Sequence, residues 1–131
     1  MSPVEIMFAL QRKAPFDSLT DGELEIAASV AVERCFAPGA LILGPGEPFH
    51  RLLIKLEGSW LLKEGELPDL LGIESLLAGA EGPGEILAGP EGARCLTLTR
   101  GHFFTLINEC PTLLLSLLSS ADQLKQERGF L

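Results

Sequence analysis

Phe36-Ala-Pro-Gly-Ala-Leu-Ile-Leu-Gly-Pro-Gly-Glu-Pro-Phe-His-Arg-Leu-Leu-Ile-Lys-Leu-Glu-Gly-Ser-Trp-Leu-Leu62 is a run of short apolar segments punctuated by glycine and proline. No window in it keeps a 3.6-residue apolar period long enough for a helix, so the stretch reads as strands and turns. Pro38-Gly39 makes a turn before a strand at Ala40 to Leu43, and Gly44-Pro45-Gly46 makes the next turn. A strand then runs from Arg51 to Leu56 with Leu52, Ile54 and Leu56 on one face; Gly58 interrupts it, and Trp60 and Leu62 continue it. A further strand is expected at Ala93 to Leu98. Between Gly79 and Gly92 glycines and prolines oppose both regular structures, which predicts a mobile loop.

Outward from this β part, helix signals appear at both ends. Thr20 and Glu23 have capping-box spacing, with Leu19 and Leu24 placed as the staple across the cap, so a helix starts at Asp21 and carries the stripe Leu24, Ala27, Ala28 and Ala31. A shorter helix is expected around Val4 to Gln11. Near the other end, Thr99 can cap a helix with Phe103, Leu106 and Ile107, and Pro111 suits the first turn of a longer one. There Leu114, Leu117, Ala121 and Leu124 form a stripe, and Leu113, Leu115 and Leu118 widen the apolar surface. A helix apolar on two sides needs two partners, which favours a homodimer through Leu114, Leu117, Ala121 and Leu124 over burial of both faces within one chain.

The chain has 131 residues, 47% of them hydrophobic, enough for one core, and a formal net charge of -8. Such a field repels phosphate backbones and anionic lipid, so direct contact with nucleic acid or a membrane surface is not expected. No apolar stretch reaches the roughly 18 residues of a membrane span, and Arg12 and Lys13 follow the first apolar residues, the reverse of a signal peptide. A cytoplasmic location is expected. Cys35, Cys95 and Cys110 are odd in number and widely spaced, which suits buried reduced thiols.

Handles for catalysis are missing. The sequence has no Gly-x-Ser-x-Gly elbow, no His-Glu-x-x-His pair and no Walker A loop. A metal site would have to be assembled from His50 and His102, one in a turn and one at a helix start, and both read as solvated side chains. Ser116, Ser119 and Ser120 have no histidine at a neighbouring helical spacing. The expectation is a non-enzymatic chain with neither metal nor cofactor.

The quoted stretch resembles the first half of the cyclic nucleotide-binding domain family, with Pro38-Gly39, Gly46-Glu47 and Leu56-Glu57-Gly58 at the spacings of that family's β-turns. Ala14-Pro15-Phe16, Leu19 and Thr20 to Leu24 look like the helix that precedes its roll, and Phe103 through Pro111 looks like its pre-terminal helix. The resemblance covers nearly the whole chain. It implies a mainly β fold with flanking helices, a double-stranded β-helix or jelly roll, in one domain spanning 1–131: a helical beginning at 1–31, the roll at 32–98, and C-terminal helices at 99–128 ending in a long one.

In that family a Gly-Glu pair opens a short helix, the carboxylate takes the ribose hydroxyl, and a later arginine pairs with the cyclic phosphate. The matching stretch here is Gly72, Ile73, Glu74, Ser75, Leu76 and Leu77, with Ile73 in the place of the ribose-binding acid and Glu74 one position late. The arginine's place falls at or beside Pro83. From Glu64 through Ala93 there is no Lys or Arg, while Glu64, Glu66, Asp69, Glu74, Glu81, Glu85 and Glu91 are all acidic. The stretch from Trp60 to Gly72 is also shorter than the family's usual length. These residues imply a vestigial pocket in a regulatory or protein-interaction module that binds neither cyclic AMP nor cyclic GMP. The alternative is a small-ligand sensor domain of a transcription regulator of the catabolite-activator type, its DNA-binding part lying elsewhere.

Overall fold

The computed structural model describes residues 1–63 and 65–118. Two units make up these residues: a helical one from Met1–Ala31 and the residues after Arg100, and a β unit at Val32–Arg100.

In the helical unit, α1 spans Pro3–Gln11 and α2 spans Asp21–Val30. Both begin with a capping box. In α2 the Glu23 N–H donates to Thr20 Oγ1 at 3.2 Å and the Thr20 N–H donates to Glu23 Oε1 at 2.9 Å, satisfying two of the donors a helix start leaves over. Ser2 and Glu5 do the same for α1. The buried faces are Ile6 and Leu10 on α1 and Leu24, Ala27 and Ala28 on α2. Ala31, expected to extend that stripe, is instead the extended C-cap, because β1 begins at the next residue.

A third helix of this region, labelled α4 below, spans Arg100–Glu109 and buries Phe103, Leu106 and Ile107. Residues 111–118 are helical again, opened by Pro111 as expected. Here the outward positions differ from those predicted for a dimer contact. Leu113 and Leu117 are buried within the chain, Leu114 is half-buried, and the exposed leucines are Leu115 and Leu118. Leu117 is therefore already used by its own chain, while Ala121 and Leu124 lie outside the described residues, as do Ser119 and Ser120.

The β unit holds six strands: β1 (Val32–Phe36), β2 (Leu41–Leu43), β3 (Arg51–Leu62), β4 (Gly65–Glu66), β5 (Leu70–Leu71) and β6 (Ile86–Thr99), with α3 (Ile73–Ala78) between the last two. Its spine is the long antiparallel pair of β3 and β6, paired from Arg51 opposite Thr99 to Leu62 opposite Ile86 with register shifts between Lys55 and Glu57 and between Gly58 and Trp60. Each long strand changes its outer partner along its length. β6 meets β2 near its start and β1 further on, and β3 meets β5 near its start and β4 at its end. This exchange of partners makes an antiparallel sheet curl into the expected roll.

Two expectations about this unit change. Gly58 does not interrupt β3; the strand passes through it with φ +81°, in the left-handed region that favours glycine. The region from Gly79 to Gly92 is a connection only as far as residue 85, since β6 already starts at Ile86. The composition misleads because of a large bulge. Trp60 pairs with Ala88 and Gly58 with Ala93, so Ser59 stands opposite four residues, Gly89 to Gly92. Pro90 is tolerated there because it lies outside the β3 ladder and owes it no N–H. Main chains cross closely at this point. A methyl group added to Gly58 would run into the Gly92 carbonyl, and one added to Gly92 would lie 2.6 Å from the Phe36 carbonyl oxygen.

Inside the roll, Leu43, Phe49, Leu53, Trp60, Leu67, Leu71, Ile86, Ala88, Ala93 and Cys95 form one apolar cluster. The Trp60 indole N–H, which would be costly to bury unpaired, donates to the Pro68 carbonyl at 2.7 Å. Leu52, Leu53 and Ile54 are all buried, so β3 is covered on both faces here, and Leu56 is the half-buried member of the predicted stripe. No described helix is long and apolar enough to cross a membrane.

Candidate functional site

Gly72 to Leu77 form the N-cap and most of the body of α3. β5 delivers the chain to this helix, with Leu70 and Leu71 paired to Ile54 and Leu53. Gly72 is the N-cap, at φ +105°. A methyl group there would sit 2.7 Å from the Arg51 carbonyl oxygen and 3.2 Å from Phe49 Cβ, so the position demands glycine for both conformation and space. At the far end Gly79 closes the helix in the left-handed region, its N–H donating to Ser75 O at 2.9 Å.

Half of the α3 side chains are buried. Ile73 and Leu76 are buried, and Ile73 adds apolar surface where the resemblance would place an acid. Ser75 is buried too, and its hydroxyl is spent on the Ala80 carbonyl at 2.7 Å. Glu74 and Pro83 are exposed and Leu77 is half-buried. Ser75 to Ala80, together with a bond from the Gly82 N–H to Glu47 O at 2.9 Å, folds residues 72–82 into an arch against the turn that carries Phe49.

Phe49 is the residue that the sequence reading missed. It is only 8% exposed. Its Cβ and Cγ lie 3.2 and 3.4 Å from the methyl position of Gly72, and its Cε2 lies 3.6 Å from that of Gly82. The ring thus spans the arch from within. A signal was present in the sequence, since an aromatic side chain between Pro48 and His50 has no reason to be in a turn unless something buries it.

Two cations of the β unit are held by carboxylates. Arg94 is clamped on the sheet, Nη1 on Glu33 at 3.0 Å and Nη2 on Glu57 at 2.6 Å. The two carboxylates, Glu57 foremost, raise its already high pKa, and the same bond holds Glu33 below the ordinary carboxylate value. Arg51 touches Gly72 through its main-chain carbonyl, which carries no positive charge. Lys55 pairs with Asp69 at 3.3 Å. The hairpin of β3 and β4 is short, with β4 contributing two residues opposite Leu61 and Leu62.

A shallow hollow of about 350 Å³ opens beside the β6 bulge, lined by Cys35, Phe36, Glu57, Gly58, Glu91, Gly92, Ala93 and Arg94. Its guanidinium is the one already paired with Glu33 and Glu57. Cys35 is exposed here, against the expectation of three buried thiols, whereas Cys95 and Cys110 are buried. Burial pushes the Cys95 thiol up to about 11, and Cys110 also to about 11, with a hydrogen bond to the Glu23 carboxylate adding to the effect. His50 and His102 are exposed, and among the described residues no three His, Cys, Asp or Glu side chains converge to hold a metal.

An antiparallel roll with a short helix after a left-handed glycine, preceded and followed by helices, is the fold of cyclic nucleotide-binding regulatory domains. Solved structures with this fold include cAMP-bound PfPKA-R, at TM-score 0.75 and 15% identity over 97% of this chain and 47% of that one. Another is the catabolite activator protein of Thermus thermophilus, at TM-score 0.72 and 22% identity over 93% of this chain and 60% of that one. A third is the regulatory subunit of a cAMP-independent protein kinase A from Trypanosoma cruzi, bound to guanosine, at TM-score 0.70 and 20% identity over 81% of this chain and 41% of that one. The chain therefore spans less than two thirds of each of these three. No protein-family model and no curated protein matches the sequence.

Proposed function

We propose that this chain is a regulatory module of the cyclic nucleotide-binding type that has lost the chemistry for cyclic AMP and cyclic GMP and works through contact with a protein partner. The observation that carries this reading is the arch at residues 72–82: its own sequence supplies no Lys or Arg, its buried serine is committed to the main chain, and the Phe49 ring lies against two of its glycines. A charge-assisted hydrogen bond contributes about 1.5–3 kcal/mol. Losing a bidentate guanidinium contact to phosphate therefore weakens binding by roughly two or more powers of ten. Glu74, Glu81 and Glu85, exposed on and after α3, add repulsion rather than relief.

Self-association through residues 111–118 belongs to the same reading, with Leu115 and Leu118 as the outward apolar positions in place of Leu117. A second reading, a sensor for an uncharged small molecule, draws on the guanosine-bound relative, whose ligand has no phosphate. Calorimetric titration of the full chain with cyclic AMP, cyclic GMP and guanosine separates the two. The module reading expects no heat from either cyclic nucleotide at micromolar concentrations. Micromolar affinity for cyclic AMP overturns it, and affinity for guanosine alone selects the sensor.

A further inference from the structure

We propose that Phe49 is the built-in occupant of a latent apolar hollow beneath residues 72–82, and that this hollow accepts a flat, uncharged ring once the Phe49 side chain is out of it. The inference rests on the reading above and adds to it what keeps ligands out and which class would fit.

Four observations lead here. Phe49 belongs to a seven-residue connection between β2 and β3 that contains two glycines and two prolines, a segment that ordinarily faces water, yet its ring is buried. The ring reaches from Gly72, where a methyl group would crowd Phe49 Cβ and Cγ at 3.2 and 3.4 Å, to Gly82, whose methyl position lies in ordinary contact with Cε2 at 3.6 Å and is crowded by Leu43 and the Glu47 carbonyl oxygen instead. The remaining walls come from the same apolar cluster, with Leu43, Leu53, Leu71 and Trp60 among its members. Finally, the arch is fastened to the Phe49 turn through the Gly82 N–H and Glu47 O, beside the ring itself.

Removing the ring therefore leaves a space bounded by hydrocarbon and main chain. Such a space stays dry and takes up an aromatic molecule of matching size, because water finds too few polar partners in it. Lacking a cation, it refuses an anion of the same size.

The test uses the full chain as Phe49→Ala, with Phe49→Val as the milder variant, and benzene as the probe. Thermal unfolding is followed with and without benzene, and Trp60, the sole tryptophan and a member of the same cluster, reports occupancy by its fluorescence. The expected result is a saturable rise in midpoint for the variant, with affinity at least about tenfold tighter than for the parent chain. If Phe49→Ala lacks native circular dichroism, Phe49→Val is read by the same criterion. A folded variant whose midpoint ignores benzene overturns the proposal, as does a parent chain that binds benzene equally well. Cyclic AMP binding to the parent would instead sink the preceding reading, leaving the benzene result to decide this one.

Discussion

Substituting Gly58 by alanine probes how the roll is built at its tightest point. Three glycines share nearly the same left-handed conformation: Gly39 at φ +76°, Gly46 at φ +75° and Gly58 at φ +81°. The conformational penalty for alanine is common to all three, about 1–2 kcal/mol. Space separates them. A methyl group on Gly39 or Gly46 meets nothing within 4 Å, whereas on Gly58 it meets the main-chain carbonyl of Gly92, which cannot rotate aside. Relieving that overlap means shifting the bulge of residues 89–92, and overpacking of this kind adds about 1–3 kcal/mol. Gly58→Ala should then cost about 2 kcal/mol more than Gly39→Ala. With a denaturant slope of about 1–3 kcal/mol per molar urea, the midpoints should differ by roughly 1 M. Fluorescence of the fully buried Trp60, backed by far-ultraviolet circular dichroism, reads both transitions. If the two variants unfold within about 0.5 kcal/mol of each other at equal slopes, the close crossing of β3 and β6 is not as described.

Two further outcomes follow from the thiols and the sheet carboxylates. In the native chain at pH 8, a maleimide should label Cys35 alone, because Cys95 and Cys110 are buried and protonated with pKa values near 11; denaturant should then expose two further thiols, counted by mass. Rapid native labelling of Cys95 or Cys110 would contradict the packing. Glu33 is held below the ordinary value of 4.5 by Arg94, so the folded state binds this proton less readily than the unfolded one. Its stabilising contribution is present above 4.5 and is lost as pH falls through the lowered value; Glu33→Gln should flatten the fall of the urea midpoint in that window, more visibly at low salt. An unchanged pH profile would remove Glu33 from the account.

Much of this arrangement is legible in the residues because it is local. The Thr20 and Glu23 box, the turns at Pro38-Gly39 and Gly44-Pro45-Gly46, and the glycine opening α3 each follow from conformations that few residues adopt. The β6 bulge is not local. Gly89, Pro90 and Gly92 look like loop residues, and only the opposing Ser59 and the Phe36 carbonyl show that glycine is needed so that main chains can meet. Leu117 is similar: its helical period marks it as apolar, but a period cannot say whether the same chain or another copy covers it.

The arch at residues 72–82 combines both kinds of information. The missing cation is a property of composition and can be counted without coordinates, since no Lys or Arg occurs between residues 64 and 93. Where Arg94 goes is a property of the fold: Glu33 and Glu57 hold its guanidinium on the sheet. Phe49 adds a third element that neither composition nor charge reveals. An apolar hollow left open forfeits the contacts of its lining atoms, whereas one occupied by its own phenyl ring gains contact energy from being closed. On the proposed reading, the lack of Lys and Arg among residues 64–93 and the buried Phe49 ring therefore act in the same direction. On that reading, an arginine introduced at the exposed position 83 would still meet the ring that Phe49 places against Gly72 and Gly82.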